Sequence, residues 1–154
     1  MREFIDHLNQ WRAAGQRHVL VRALDVVGFG AGQYDNALIV NERDERCGTI
    51  LRGLVDDDIA AAVAPVLTEG SPRIVTVHAN MAEAEGVGLS CGGSALLLVQ
   101  AACGLPDELW EQIEVGRPVV LASVIRADGQ PGPGGIVMQA DGSTAGTLGS
   151  TMLD

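Results

Sequence analysis

Cys91 lies in a segment, Gly86-Val87-Gly88-Leu89-Ser90-Cys91-Gly92-Gly93, in which most of the other residues are glycine or serine. Glycines on both sides allow positive φ angles, which turn several backbone N–H groups into one concavity that can hold an anion such as a phosphate. A thiolate at its rim would be stabilised by the same amide dipoles, and could ligate a soft metal or take up a sulfur atom. The alternative is a tight turn into a strand, with Cys91 as a small buried apolar side chain.

The other reactive side chains show no comparable grouping. Cys47 follows a polar connection, so we expect a solvent-facing or half-buried hairpin residue, with a role as a second thiol as the alternative. Cys103 ends a predicted strand, has no partner at metal-ligand spacing and is assigned to packing. The histidines are scattered over one predicted helix and two predicted strands, away from any serine or carboxylate motif, which disfavours a catalytic role for His7, His18 and His78.

Hydrophobic spacing and glycines at element ends predict the scaffold that must position the Cys91 segment. Three acids, Asp56-Asp57-Asp58, precede one apolar stretch and Gly70 follows it; this order stabilises a helix, although the acids could instead bind a hard cation. Helices are predicted at about Glu3 to Ala14, Ile59 to Leu67 and Pro106 to Glu114. Strands are predicted at His18 to Val27, Ala37 to Val40, Gly48 to Leu51, Arg73 to His78 and Ser94 to Ala101, the second and third forming a hairpin.

The order helix, strand, glycine loop and hairpin occurs twice, as a weak internal repeat. Trp11, Gly15, Arg17 and Val19 recur in the same order as Trp110, Gly116, Arg117 and Val119. A glycine-rich loop then recurs, at Gly28 to Gly32 and at Gly129 to Gly135. In the hairpins the spacing settles at 98 residues, so that Leu38, Ile39, Val40, Gly48, Thr49 and Asp56 correspond to Ile136, Val137, Met138, Gly146, Thr147 and Asp154.

The repeat predicts an α+β (mixed α/β) fold of strand hairpins with covering helices, built from two related halves. Residues 1–104 form the first unit and residues 105–154 a partial second copy. Because Asp154 corresponds to Asp56, the second copy ends where the first begins its acid-capped helix. The apolar face that this helix would cover must then be covered by the first copy, by another chain or by residues beyond Asp154, so we expect a homo-oligomer or a partner subunit.

Length and composition limit the class of protein. With 154 residues, 47% hydrophobic and 19% charged, the chain is globular and of single-domain size. The net charge is −10 and every one of the 10 cationic residues is arginine, without a basic run, which argues against nucleic acid and anionic membrane as partners. Three cysteines make no closed disulfide framework, and no signal segment or membrane-length apolar run is visible, so we expect a cytoplasmic protein with reduced thiols.

The string Gly88-Leu89-Ser90-Cys91-Gly92-Gly93, preceded by Ala84-Glu85-Gly86-Val87, resembles the G-L-x-C-G-G signature of the XdhC/CoxI family. These are accessory proteins of molybdenum hydroxylases such as xanthine dehydrogenase and carbon monoxide dehydrogenase. The opening Trp11, Gly15 and Arg17 before a strand, and the restart of the pattern at Trp110, also resemble the family, so that the resemblance covers essentially the whole chain. Many members carry a C-terminal Rossmann domain, which this sequence lacks.

The sequence departs from the family pattern at the segment that follows the hairpin. The family has G-S-V-S-G-G-C-V-E there, and this chain has Gly48-Thr49-Ile50-Leu51-Arg52-Gly53-Leu54-Val55-Asp56, with Leu54 in place of the cysteine. If that cysteine cooperates with the one at Cys91, half of the thiol pair is missing. Arg52 replaces a glycine and either serves as a phosphate partner or blocks the pocket. The family's loop containing Pro-Arg is replaced by Gly28 to Tyr34, where Phe29 and Tyr34 either stack on a pterin or base or close the edge of the core.

The resemblance implies a chaperone that transiently binds the molybdenum cofactor, as molybdopterin or its cytosine dinucleotide form, assists its sulfuration and delivers it to a hydroxylase client. The implied cofactor-binding residues are Gly88, Ser90, Cys91, Gly92, Gly93, Arg52 and Gly53, with Cys91 near the molybdenum and a Rossmann-domain chain as a further candidate partner. Two alternatives stay open: a sulfur transferase that carries a persulfide on Cys91, and a cofactor-free structural subunit that has lost the site.

Overall fold

The computed structural model describes residues 4–30, 36–125, 131–132 and 134–148. The helices are α1 (Phe4–Ala13), α2 (Asp56–Glu69), α3 (Met81–Gly86) and α4 (Asp107–Glu114). The strands are β1 (His18–Gly28), β2 (Asn36–Asn41), β3 (Arg46–Ile50), β4 (Arg73–Ala79), β5 (Gly93–Ala101), β6 (Val119–Ala122), β7 (Gly135–Gln139) and β8 (Thr144–Thr147). This mixture of helices and antiparallel sheets confirms the predicted α+β class.

The strands form two sheets, one of five strands in the order β3-β2-β1-β5-β4 and one of three in the order β6-β7-β8. Neighbouring strands of the larger sheet are all antiparallel, and Gly93 at the start of β5 pairs with Gly28 and Ala79 at the ends of β1 and β4. Since β3 ends beside the start of β2, its last residue Ile50 lies at the same end of the sheet. We call this end of the sheet the loop end, and the end at which His18 and Ala101 lie the opposite end.

Each face of the larger sheet is buried under a different set of elements. On one face, α2 packs on β1, β2, β4 and β5 through a cluster that includes Ile59, Val63, Val66, Val19, Val40, Leu97 and Val99. On the other face, α1, α4 and β7 pack on Leu20 and Ile39 through Phe4, Leu8, Trp11, Leu109, Trp110 and Val137. The second cluster joins the larger sheet to residues 105–148, so one face of the smaller sheet is covered from within this chain.

The two hairpins share register and turn geometry. Leu38 pairs with Gly48 in the first hairpin, and Ile136 pairs with Gly146, each 98 residues later, in the second. Asp44 and Gly142 occupy matching turn positions with φ of 62° and 83°. The helix ends match through Gly15 and Gly116 instead of the tryptophans, because Gln16 N–H bonds to Trp11 O while Arg117 N–H bonds to Gln112 O. Trp11 and Trp110, which recur in order with a slip of one or two residues before the glycine, therefore do not occupy equivalent positions, although both side chains are buried.

The outer face of the smaller sheet is open in this chain. Leu38 and Val40 are fully buried on the α2 side of the first hairpin. Of their counterparts in the second hairpin, Ile136 is half-buried and Met138 is 50% exposed. Val120 on β6 is 61% exposed. No helix of the described residues takes the place of α2 on this face. The expectation of an oligomer or partner subunit stays a prediction.

Two elements differ from the sequence prediction. The third strand is Arg46–Ile50 instead of Gly48–Leu51, because Leu51 has a φ of 48° and begins a 3-10 turn. Helix α3 was not predicted; it is fixed by a capping box in which Asn80 accepts from Glu83 N–H and Glu83 accepts from Asn80 N–H. Among the helices that the structure describes, none has both the length and the apolar content needed to cross a membrane.

Gly48 and Gly15 provide a matched test of this packing. A Cβ at Gly48, where φ is +87°, would lie 2.7 Å from a ring carbon of Phe4 and 2.8 Å from Ala37 O, whereas a Cβ at Gly15, where φ is +65°, meets no atom within 4 Å. Gly15→Ala should lower the free energy of unfolding by about 1 kcal/mol, the cost of the left-handed backbone. Gly48→Ala should lower it by about 3 kcal/mol, because the clash adds to that cost. Equal losses in urea unfolding would contradict this placement of α1 on the hairpin.

Candidate functional site

Three segments that carry the predicted site residues meet at the loop end. They are the end of β1 with Gly28 to Gly30, the 3-10 turn Leu51–Gly53 after β3, and the segment from Gly86 to Gly93 between α3 and β5. Two contacts join them: Arg52 hydrogen-bonds Gly88, and Ser90 packs against Gly30. The structure therefore brings together Arg52, Gly53, Gly88 and Ser90, and places Gly28 and Gly30 beside them.

The turn that carries Arg52 has an unusual backbone. Leu51, Arg52 and Gly53 have φ of 48°, 55° and 85°, so three successive residues are left-handed. Only the third is glycine, and left-handed non-glycine residues store conformational strain that the surroundings must hold in place. Leu51 is held by burial in the cluster under α2. The exposed Arg52 is held by its side chain.

The Arg52 side chain bridges two of the segments. Its Nη1 donates a hydrogen bond of 2.7 Å to the carbonyl of Gly88. Within the described residues this is its one hydrogen bond, and no carboxylate pairs with it. The remaining guanidinium donors are thus available to an anion, for which their planar geometry is suited.

The glycines at the end of the segment serve close backbone packing. A Cβ at Gly92 would lie 2.5 Å from Ala79 O, and one at Gly93 would lie 2.2 Å from Val27 O. Phe29 N–H donates to Gly92 O at 3.2 Å. Of the segment's glycines, Gly88 alone has a positive φ. The expectation of positive φ on both sides of Cys91 is therefore wrong for Gly92 and Gly93, which lie where β5 meets its neighbours.

The available backbone amides lie next to the thiol. The N–H groups of Val87, Gly88 and Leu89 bond to carbonyls of α3 at 3.2, 3.0 and 2.9 Å. Ser90 and Cys91 lie outside helix and strand, and neither N–H has an acceptor within the described part of the chain. Ser90 is exposed and Cys91 is half-buried with a free thiol. The alternative of Cys91 as a buried apolar side chain is thus not what the structure shows.

Carboxylates limit the rest of the site. Arg46 Nη1 contacts Asp56 at 2.7 Å, and its Nη2 contacts Asp44 at 2.8 Å. The hydrogen bond that Arg46 donates to Asp44, with the negative charges of Asp56 and Asp44, raises the pKa of Arg46. The Asp56 carboxylate lies over Gly53, 3.5 Å from where a Cβ would stand. An anion would therefore be repelled at Gly53 and attracted towards Arg52.

The other candidate residues are spread over the fold. Phe29 is fully buried under α2, so its proposed stacking on a pterin or base is excluded and it fills the core. Tyr34 lies outside the described residues. Cys47 is half-buried on β3, as expected, but Cys103 is exposed at the opposite end, so its assignment to packing is wrong because the chain turns outward after β5. Leu54 packs against the cluster under α2.

The thiols do not converge on a metal site. Cys91 and Cys103 lie at opposite ends of the larger sheet, and neither is in a disulfide. Among the described residues, no group of three or more histidine, cysteine, aspartate or glutamate side chains is arranged to hold a metal ion. Among the described residues, the site offers one thiol, two amides and one guanidinium, a donor set for an anionic ligand with one sulfur contact.

Comparison with known proteins identifies the fold. No protein-family model matches the sequence, and no curated protein matches it. Among solved structures, the chain is similar to a crystal structure of a xanthine dehydrogenase from Bacillus halodurans, with a TM-score of 0.66 and 15% sequence identity. The similarity covers 95% of this chain and 45% of that one, so this chain spans less than half of the other protein's length. At 15% sequence identity, this structural similarity shows a shared fold alone.

Two substitutions separate the strain at Arg52 from its hydrogen bond. Arg52→Ala removes the bond to Gly88 and keeps a residue that disfavours a φ of 55°. Arg52→Gly removes the same bond but relieves the strain. The glycine variant should therefore be more stable than the alanine variant by about 1 kcal/mol in urea unfolding. Equal stability would mean that Arg52 does not adopt the left-handed conformation.

Proposed function

We propose that this protein is an accessory protein in the maturation of a molybdenum hydroxylase, which holds the molybdenum cofactor and passes it to the client enzyme. The observation that carries the proposal is the Arg52–Gly88 hydrogen bond, which fixes a guanidinium that has no carboxylate partner among the described residues beside the segment containing the half-buried Cys91 thiol. The fold shared with a xanthine dehydrogenase supports a link to molybdenum hydroxylases. The resemblance of Gly88 to Gly93 to the XdhC/CoxI signature supports the accessory role.

The donor set suits the cofactor as cargo. Molybdopterin, or its cytosine dinucleotide form, carries phosphate, which the free Arg52 donors and the Ser90 and Cys91 amides can bind. A thiolate is a soft ligand for the metal. Gly88, Ser90, Cys91 and Arg52 would make these contacts, whereas Gly92 and Gly93 would shape the loop. Gly53 contributes least, because the Asp56 carboxylate lies against it.

The cell compartment and partners follow from the same proposal. Maturation of a cytoplasmic hydroxylase places the protein in the cytoplasm, where the three thiols stay reduced. The client enzyme is one partner. The open face of the smaller sheet, with Val120 and Met138, provides a surface for a second copy or a Rossmann-domain chain.

One observation favours a second function, that of a cofactor-free structural subunit. Leu54 stands where the family has a cysteine, and it is packed into the core near three acids at the start of α2. If the site no longer binds a cofactor, the presence of Leu54 in place of the cysteine does not impair the function of the protein. A Cys91-dependent sulfur transferase is a further variant, in which a desulfurase persulfide passes its terminal sulfur to the Cys91 thiolate and leaves as a thiolate.

Cys91→Ala, with Cys103→Ala as the matched control, tests the accessory role. On co-expression with a molybdenum hydroxylase, Cys91→Ala should lower the molybdenum content and activity of the client about tenfold, the size of effect seen when one group of a metal site is lost. Cys103→Ala, a thiol at the opposite end, should leave both unchanged. Unchanged client activity with Cys91→Ala would favour the structural subunit.

Leu54→Cys restores the residue of the family pattern, two positions from Arg52. If the protein carries cofactor, this variant should retain more molybdenum on purification than the wild type, and Cys91→Ala should remove the gain.

For the transferase, mass spectrometry after incubation with a cysteine desulfurase and cysteine should show one added sulfur on Cys91. The absence of that sulfur would rule out the transferase function and would leave the cofactor-binding proposal unaffected.

A further inference from the structure

Strand β4 is an edge strand of the larger sheet, with β5 on one side only. Its seven residues pair with β5 in an unbroken antiparallel register. In such a strand the N–H and C=O groups of alternate residues point to opposite sides, so about half of those in β4 point away from β5. Within the described residues, no other segment forms a backbone hydrogen bond with β4. Its outer side therefore presents a row of donors and acceptors that a further strand could pair with.

The other sheet edges that the structure describes carry features that oppose such pairing. β3 contains Gly48 at a φ of 87°, and its Arg46 is paired with carboxylates. β6 and β8 have only four residues each. Irregular backbone, charge and short length commonly protect an edge strand from other chains. β4 is longer, contains no residue with a positive φ, and has its one arginine, Arg73, at its first position.

The sequence of β4 is close to a palindrome centred on Thr76, because valine stands on both sides of it. A two-fold axis between identical chains requires a self-complementary surface. Antiparallel pairing of two β4 strands about Thr76 sets Thr76 against its own copy, Val75 against Val77 and Ile74 against His78. Threonine pairs and pairs of β-branched side chains are favourable across strands, and this register opposes no like charges.

The two faces of β4 suit a sheet that continues into a second copy. On the α2 side, Val77 is 4% exposed and Val75 packs against the same cluster. The Val75–Val77 pairs of a dimer would therefore join the apolar layers of the two copies. On the other face Thr76 and His78 are exposed and Ile74 is half-buried. Antiparallel sheets commonly combine one covered face with one face open to water.

We propose that β4 is the interface of a two-fold symmetric dimer, in which the β4 strands of two copies pair antiparallel about Thr76. The pairing joins the two five-stranded sheets into one continuous sheet and satisfies the outward-pointing backbone groups. Its near-palindromic sequence makes a second copy of this chain the occupant. The interface is small, so we expect association in the micromolar range. It is separate from the open face of the smaller sheet and does not depend on cofactor binding.

Charge substitutions at Thr76 test the two-fold pairing. Sedimentation equilibrium of the full chain from roughly 1 μM to 1 mM should show a reversible monomer–dimer equilibrium. Thr76→Lys and Thr76→Glu should each weaken the dimer about tenfold, because two like charges meet at the axis. An equimolar mixture of the two variants should restore the dimer, which also shows that both variants fold. Thr144→Lys, at an exposed position of β8, should leave the dimer unchanged.

Cysteine substitutions test the register. On mild oxidation, Thr76→Cys should link residues 76 of two copies, detected by mass spectrometry of the joined peptides, because directly paired residues lie within disulfide range. Ile74→Cys alone should not link, since the two copies of position 74 lie about 13 Å apart along the strands. Its mixture with His78→Cys should link.

Four results would overturn the proposal. They are a monomer at every concentration, a dimer that Val120→Lys weakens and Thr76→Lys does not, lysine and glutamate variants that fail to restore each other, and disulfide formation by Ile74→Cys as readily as by Thr76→Cys.

Discussion

The candidate site depends on the hydrogen bond from the Arg52 guanidinium to the Gly88 carbonyl. It joins a left-handed turn that follows β3 to the segment that carries the only thiol at the loop end of the described chain. Neither segment belongs to a helix or strand at the contact, so the bond fixes their relative position where regular secondary structure does not. In a protein of net charge −10, a cation that has no carboxylate partner among the described residues favours the binding of an anion at the loop end.

Much of the scaffold could be predicted because local signals agreed with the packing. The spacing of Phe4, Leu8 and Trp11 marks the buried face of α1, and the acids before Ile59 with Gly70 after Leu67 mark the ends of α2. β5 and the first half of β1 lie inside the sheet with covered faces, which explains the continuous hydrophobic character of these segments. The recurrence after 98 residues predicted the second hairpin, whose register matches the first.

The features that sequence could not predict are set by contacts between distant segments. The left-handed Leu51 and Arg52 oppose their own backbone preferences and persist because one is buried and the other is bonded across the loop end. Gly92 and Gly93 are glycines because the backbone of neighbouring strands approaches them closely. The spacing of glycines in the sequence does not distinguish this close packing from a phosphate-binding loop. In the sequence, His18 cannot be distinguished from any other strand residue. Its surroundings are set by the fold, which brings the C-terminal ends of α1 and α2 together around it.

Equilibrium binding of isolated molybdenum cofactor to the purified chain distinguishes a cofactor carrier from a shared fold without cargo. We expect saturable binding to the wild type, weakened about tenfold by Arg52→Ala through loss of one charged contact, and weakened separately by Cys91→Ala. His18→Phe, at the other end of the sheet, should bind as the wild type does. Absence of binding, or affinities that neither the Arg52 nor the Cys91 substitution changes, would contradict the account and leave a shared fold without the proposed cargo.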